Sequence, residues 1–142
     1  MSKYFLTLIL LAFLSLTARS QYSGLIIKDL LRTDTTSIGQ KITYPDFNDP
    51  EVTMLKVTIP PGKSTGWHKH NIPVFAYVVK GTLTVELEDH REIKFKEEST
   101  FAEMRDIYHN GTNKEDTDLI LIAIYMGGKG QKLSIMRDNQ PQ

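Results

Sequence analysis

From residue 52 onward the chain is a succession of short apolar runs, each a few residues long and each closed by a turn signal. Residues 52–59, Val-Thr-Met-Leu-Lys-Val-Thr-Ile, alternate in polarity, are rich in β-branched side chains and are stopped by Pro60-Pro61-Gly62, which is the pattern of a strand entering a turn. Further strands are expected at 65–70, 73–80, 82–88, 92–96, 100–103, 118–126 and 132–136, with Gly81, Glu88-Asp89-His90 and Asn110-Gly111 as breaks between them. No stretch carries a convincing helical period. Many short strands at close spacing without helices predict an all-β sandwich or barrel. The run at 118–126 is continuously apolar, so it is expected to be a central strand buried on both faces. It is too short to span a membrane.

Composition narrows the chemistry. A length of 142 residues predicts one domain, and no internal repeat or composition shift marks a second. The chain contains no cysteine, which excludes disulfides, thiol nucleophiles, iron–sulfur clusters and Cys-ligated zinc, so any metal must be held by His, Asp or Glu. With 17 Lys+Arg against 17 Asp+Glu there is no electrostatic footprint of a nucleic-acid partner. Along the chain we expect an N-terminal edge strand and loop at 21–50, a β-barrel at 51–136 and a polar tail at 137–142.

The first twenty residues stand apart. Lys3 is followed by an almost unbroken apolar stretch from Tyr4 to Leu16, and then by small residues at Ala18 and Ser20. That order of charge, apolar core and small residues is the order of a secretory signal peptide. An uncleaved amphiphilic anchor is the alternative, although the apolar run is short for a spanning helix. Cleavage after Ser20 would remove Lys3 and Arg19 and leave a mildly acidic chain. The expected location is periplasmic or extracellular, with no membrane contact once the segment is gone.

The chemistry concentrates around His68-Lys69-His70. On a strand, residues two apart share a face, so His68 and His70 project together while Trp67 and Lys69 point away. Two converging imidazoles are the start of a metal site; the alternative is an exposed or hydrogen-bonded pair. The spacing around them resembles the first motif of the cupin superfamily, G-x5-H-x-H-x3,4-E-x6-G, through Gly62, His68, His70 and Gly81. His109 and Asn113 resemble the end of the second motif, G-x5-P-x-G-x2-H-x3-N. Four positions depart: the first motif's Glu falls on Val74, and the second motif's Gly, Pro and Gly fall on Glu98, Met104 and Asp106.

The resemblance, to small single-domain bacterial cupins, implies a cupin-type β-barrel (jelly-roll sandwich) of six to ten strands with a metal in its mouth. His68, His70 and His109 are the implied metal ligands. With Val74 in the Glu slot, an all-imidazole set suits Fe, Zn, Cu or Ni and disfavours Mn. It also calls for a nearby carboxylate to balance the cation. Glu103 is the candidate, as a fourth ligand or as a partner of the ligands. Alternation puts it on the face of Phe101, a side chain large enough to favour the interior; the alternative is an exposed Glu103 with Thr100 and Ala102 inside.

His90 is expected to be exposed in its turn. Trp67 and Tyr108 can line a pocket rim or simply pack, and Arg105 with Asp106 can form a surface ion pair. The functional expectation is an exported protein that presents a divalent transition metal to an unidentified small molecule, as a metal-dependent oxygenase, lyase or isomerase. The alternatives are a non-catalytic ligand- or metal-binding module and a metal-free scaffold. Cupins commonly pair through an edge or exchanged N-terminal strand, and residues 25–31 could serve in a homodimer.

Overall fold

Alternating β-branched segments form the framework in the computed structural model, which describes residues 24–138. The strands are β1 (Pro50–Ile59), β2 (His68–Lys69), β3 (Val74–Lys80), β4 (Thr82–Leu87), β5 (Glu92–Lys96), β6 (Thr100–Ala102), β7 (His109–Asn113), β8 (Leu119–Gly128) and β9 (Ile135–Met136). Among the described residues there is no helix. The signal segment expected at 1–20, and most of the tail expected at 137–142, lie outside the described residues.

Two antiparallel sheets face one another, ordered β1-β8-β3-β6 and β5-β4-β7-β2-β9, which is the all-β sandwich expected. Period-two alternation fills the space between them. One sheet contributes Ile59, Val74, Ala76, Val78, Leu119, Leu121 and Phe101, and the other Leu83, Val85 and Leu87. The Phe101 ring on β6 stacks at 3.6 Å on the Phe95 ring of β5 and so ties the sheets together. Gly81 makes the sharp β3–β4 connection possible: its φ is +84°, and a Cβ there would lie 3.3 Å from the Leu119 backbone.

Several expectations need correction. Asn110-Gly111 reads as a turn, yet it lies within β7, paired with β4 on one side and β2 on the other. Gly111 is there because its face is crowded, since a Cβ would come within 3.1 Å of the Leu83 side chain. Asn113 closes the same strand. It is fully buried, its Nδ2 donates to the carbonyls of Ile59 and Thr117, and its Oδ1 accepts from the Glu115 amide. Those bonds satisfy backbone groups that would otherwise be stranded in the core.

Residues 25–31 form no strand. Leu25, Ile26, Ile27, Leu30 and Leu31 are exposed there, and the only β-pairing found between 24 and 49 is an isolated bridge from Thr35 to Lys41. β8 is central but is fully buried on one face only. Its outer residues Ile124 and Met126 pair with Met54 and Val52, which are themselves exposed.

The motif departures leave their mark on the backbone. Glu98 and Asp106, standing where the cupin pattern has glycine, adopt φ of 65° and 60°. Those are left-handed values that cost a residue with a Cβ about 1 kcal/mol. Asp tolerates such a turn, and both amides are used: Glu98 donates to Val78 and Asp106 donates to His70.

Candidate metal centre

Strand register brings the site together. His68 on β2 and His109 on β7 are directly opposed, so their side chains leave the same face of the sheet. His70, two residues on, follows His68 to that side, its backbone held by a bridge to Arg105 and by the Asp106 amide. Glu103 arrives from the opposite sheet. It sits one residue past β6, and its amide donates to the Val74 carbonyl at 2.8 Å, next to the β3–β6 pairing of Phe75 with Ala102. The hydrogen-bonded neighbour of Val74, just past the adjoining strand, thus carries the carboxylate that position 74 lacks.

One ligand atom from each of His68, His70, Glu103 and His109 lies within 4.8 Å of all the others. The three imidazole centroids are 4.5–5.3 Å apart. All three histidines are buried, and the Glu103 side chain retains 13% of its exposure.

The imidazole orientations are fixed from behind. Nδ1 of His68 faces the Gly66 carbonyl at 2.8 Å, Nδ1 of His70 the Leu133 carbonyl at 2.7 Å, and Nδ1 of His109 the Ile107 carbonyl at 2.9 Å. A carbonyl can only accept, so each Nδ1 must carry the proton, and each Nε2 is left free to present a lone pair. Nε2 of His70 and Nε2 of His109 each stand 3.2 Å from Glu103 Oε2. Lone pair would then face lone pair, an arrangement that holds only with a proton or a cation between them.

The proton affinities express the same conflict. Burial alone would depress His70, but its hydrogen bond to Glu103 and the Glu103 charge outweigh that and raise its pKa above the usual 6.5. Burial would raise Glu103, but its hydrogen bonds to His109 and His70 hold it well below the ordinary carboxylate range. His68 has no such anion at hydrogen-bond distance. Burial, reinforced by His109 and His70 and only partly opposed by the Gly66 carbonyl and Glu103, lowers its pKa to about 4.

Three Nε2 lone pairs and one carboxylate are a donor set that fits a divalent transition metal. Each ligand imidazole already has the backbone carbonyl partner that fixes such ligands in place. With Glu103 in the cluster, the argument against Mn from a missing carboxylate no longer applies.

The other sequence candidates fall elsewhere. His90 is exposed and lies 3.2 Å from Glu86. Trp67 and Tyr108 pack with the Arg137 guanidinium, 5.8 and 5.5 Å from their rings, and neither lines the cavity beside the cluster. Arg105 and Asp106 form a 3.3 Å ion pair. Val74, Ala76 and Val78 are buried on the inner face of β3, while Phe75 and Tyr77 are half-buried on its other face.

One lining residue escapes sequence reasoning. Tyr125 on β8 borders the cavity, with its ring 5.6 Å from that of His70 and tilted edge-on. Its signal is its place as the last of the inward row Leu119, Leu121, Ala123, Tyr125, which a continuously apolar run conceals.

Comparison with known proteins agrees with this architecture. The family model for the Cupin domain matches residues 55–125. Among solved structures, the chain is similar to a Bacillus halodurans protein at 19% identity, covering 60% of this chain and 69% of that one with a TM-score of 0.51. It is similar to a DMSP lyase structure at 17% identity, covering 61% and 44% with a TM-score of 0.50. A cupin domain from Bordetella pertussis Tohama I is 23% identical, covering 57% and 85% with a TM-score of 0.49. No match is found among curated proteins.

Proposed function

The chain belongs to the cupin domain family, whose model covers half of it, and from that premise we propose that it binds a divalent transition metal through His68, His70, His109 and Glu103 and presents it to a small molecule. One observation carries the reading. Three buried imidazoles, each held by a backbone carbonyl at Nδ1, gather round one nearly buried carboxylate, with Nε2 of His70 and of His109 3.2 Å from it. When bound, the metal would supply Lewis-acid polarisation of a ligand oxygen. The chain's own part is to orient the imidazoles, to offset one positive charge with Glu103 and to keep water out with the apolar walls of both sheets. Oxygenase, lyase and isomerase chemistry are the reactions in view, since one fold hosts many. A second reading, a binding module without turnover, is favoured by the cavity wall, where among the described residues Thr65 and Tyr125 are the only polar side chains besides the cluster itself.

Proton linkage tests the metal reading. His70 of the metal-free protein holds its proton above the usual 6.5, and that proton must leave before Nε2 can ligate. Metal uptake near neutral pH should therefore release protons, seen as a buffer-dependent heat of binding. Affinity should begin to fall at a pH above 6.5 and keep falling with acidity. For the metal-free protein the window is set by His68. Between pH 6.5 and about 4 its unfolded form is protonated and its folded form is not, so stability should fall as pH falls through that range. Affinity that is flat from pH 8 to 5, with no proton release, contradicts the site.

We further propose export, on the strength of the first twenty residues alone. The protein isolated from its own cells should have an intact mass beginning at Gln21. A dominant species that retains Met1 removes this proposal.

A further inference from the structure

The cavity beside the cluster is small, about 60 Å³, with room beside an ion for only a few water-sized atoms. Apolar side chains from both sheets wall it, among them Val57, Ile59, Leu83, Val85, Leu121 and Ala123, and among the described residues no lysine or arginine lines it. Of the two polar side chains outside the cluster, Thr65 is already engaged. Its Oγ1 donates to the Gly66 carbonyl and accepts from the Gly111 amide.

Tyr125 is different. It is 8% exposed, it borders this cavity, and among the described residues no hydrogen bond engages its hydroxyl, which is not one of the sealed unpartnered atoms. The hydroxyl is therefore open to whatever occupies the adjoining space.

We propose that Tyr125 donates a hydrogen bond to an oxygen of the metal's small-molecule ligand, and that the ligand is a small monoanion with an apolar remainder, a short monocarboxylate being the simplest. This rests on the metal-binding reading above. The charge count sets the class. A divalent ion beside Glu103 retains one positive charge, which a single negative charge neutralises. A second negative charge would be buried in an apolar wall with no cationic side chain to meet it. One free donor likewise serves one oxygen, and the walls favour carbon and hydrogen for the rest of the molecule.

The test uses protein loaded with Co2+, whose visible absorption reports on its ligands, titrated with propionate and with malonate, which replaces propionate's methyl group by a second carboxylate. Metal content is followed throughout. Propionate should perturb the spectrum saturably and bind more tightly than malonate. Tyr125→Phe should weaken propionate 10- to 100-fold, the cost of losing one hydrogen bond to a charged group, while Co2+ affinity is unchanged.

Equal propionate affinity in the variant overturns the role of Tyr125, and malonate binding more tightly than propionate overturns the ligand class. Both results leave the metal reading intact. Failure of the wild-type protein to take up Co2+ overturns the metal reading and this inference with it. If Tyr125→Phe does not fold, the crystal structure of the wild-type Co2+–propionate complex decides. The Tyr125 hydroxyl should lie about 2.7 Å from a carboxylate oxygen, and a hydroxyl pointing away from the ligand overturns the proposal.

Discussion

Replacing His68, His70 or His109 by alanine is expected to lower metal affinity by more than about 100-fold in each case, while His90→Ala leaves it unchanged. The lower bound follows from the 10- to 100-fold losses usual when only the groups supporting a ligand are removed, and each of these three can offer a ligand atom to the metal itself. His90 is the internal control, because its side chain is 87% exposed and faces only Glu86. Each alanine also leaves a backbone carbonyl without its Nδ1 donor, at about 1–3 kcal/mol per buried group. Affinity should therefore be compared with unfolding measured in chelator, so that lost folding is not read as lost ligation. Equal metal content in all four variants contradicts the assignment.

The second large effect is expected at Glu103. Glu103→Gln keeps the shape, and its amide can still donate to Nε2 of His70 or His109, so the fold should persist. It removes the only negative charge in the cluster, and we expect metal affinity to fall by more than about 100-fold, again beyond the loss of a supporting group. It should also change the metal-free protein in a definite pH window. Glu103 has a depressed pKa, so its contribution is present above the unfolded value of 4.5 and is lost as pH falls toward the folded one. His70 has a raised pKa, so its contribution is present below 6.5 and is lost as pH rises through the folded value. The pair stabilises most between those limits. There Glu103→Gln should be destabilising relative to wild type, and proton release on metal binding should shrink. A variant that binds metal as wild type does, with the same proton release, leaves Glu103 no part in the site.

How far the site was legible in the sequence depends on whether each signal is local. Alternation gives the β1, β3, β4 and β5 strands because each carries its own apolar face, and an unbroken apolar run gives β8. It also pairs Glu103 with Phe101, and both point inward. His68 and His70 follow from period two. β7 is hidden because Asn110-Gly111 carries a turn signature, and only the crowding of Leu83 against Gly111 and the two carbonyls held by Asn113 explain why that sequence is a strand. The replacement of the carboxylate at 74 by one at 103 depends on the β3–β6 register, a long-range pairing no local pattern encodes. The carbonyls of Gly66, Ile107 and Leu133 that aim the imidazoles are invisible for the same reason: any residue type could supply them. Tyr125 is hidden by its apolar neighbours, which match its run but not its hydroxyl.

Metal binding at the cluster is tested most directly by anomalous diffraction from a crystal of metal-loaded protein, recorded at the absorption edge of the added metal. One strong peak per chain is expected, bonded to Nε2 of His68, His70 and His109 at about 2.0–2.1 Å and to a Glu103 oxygen at about 2.0–2.2 Å. No peak at the cluster, or a peak whose ligands exclude Glu103 or any of the three histidines, would contradict this assignment.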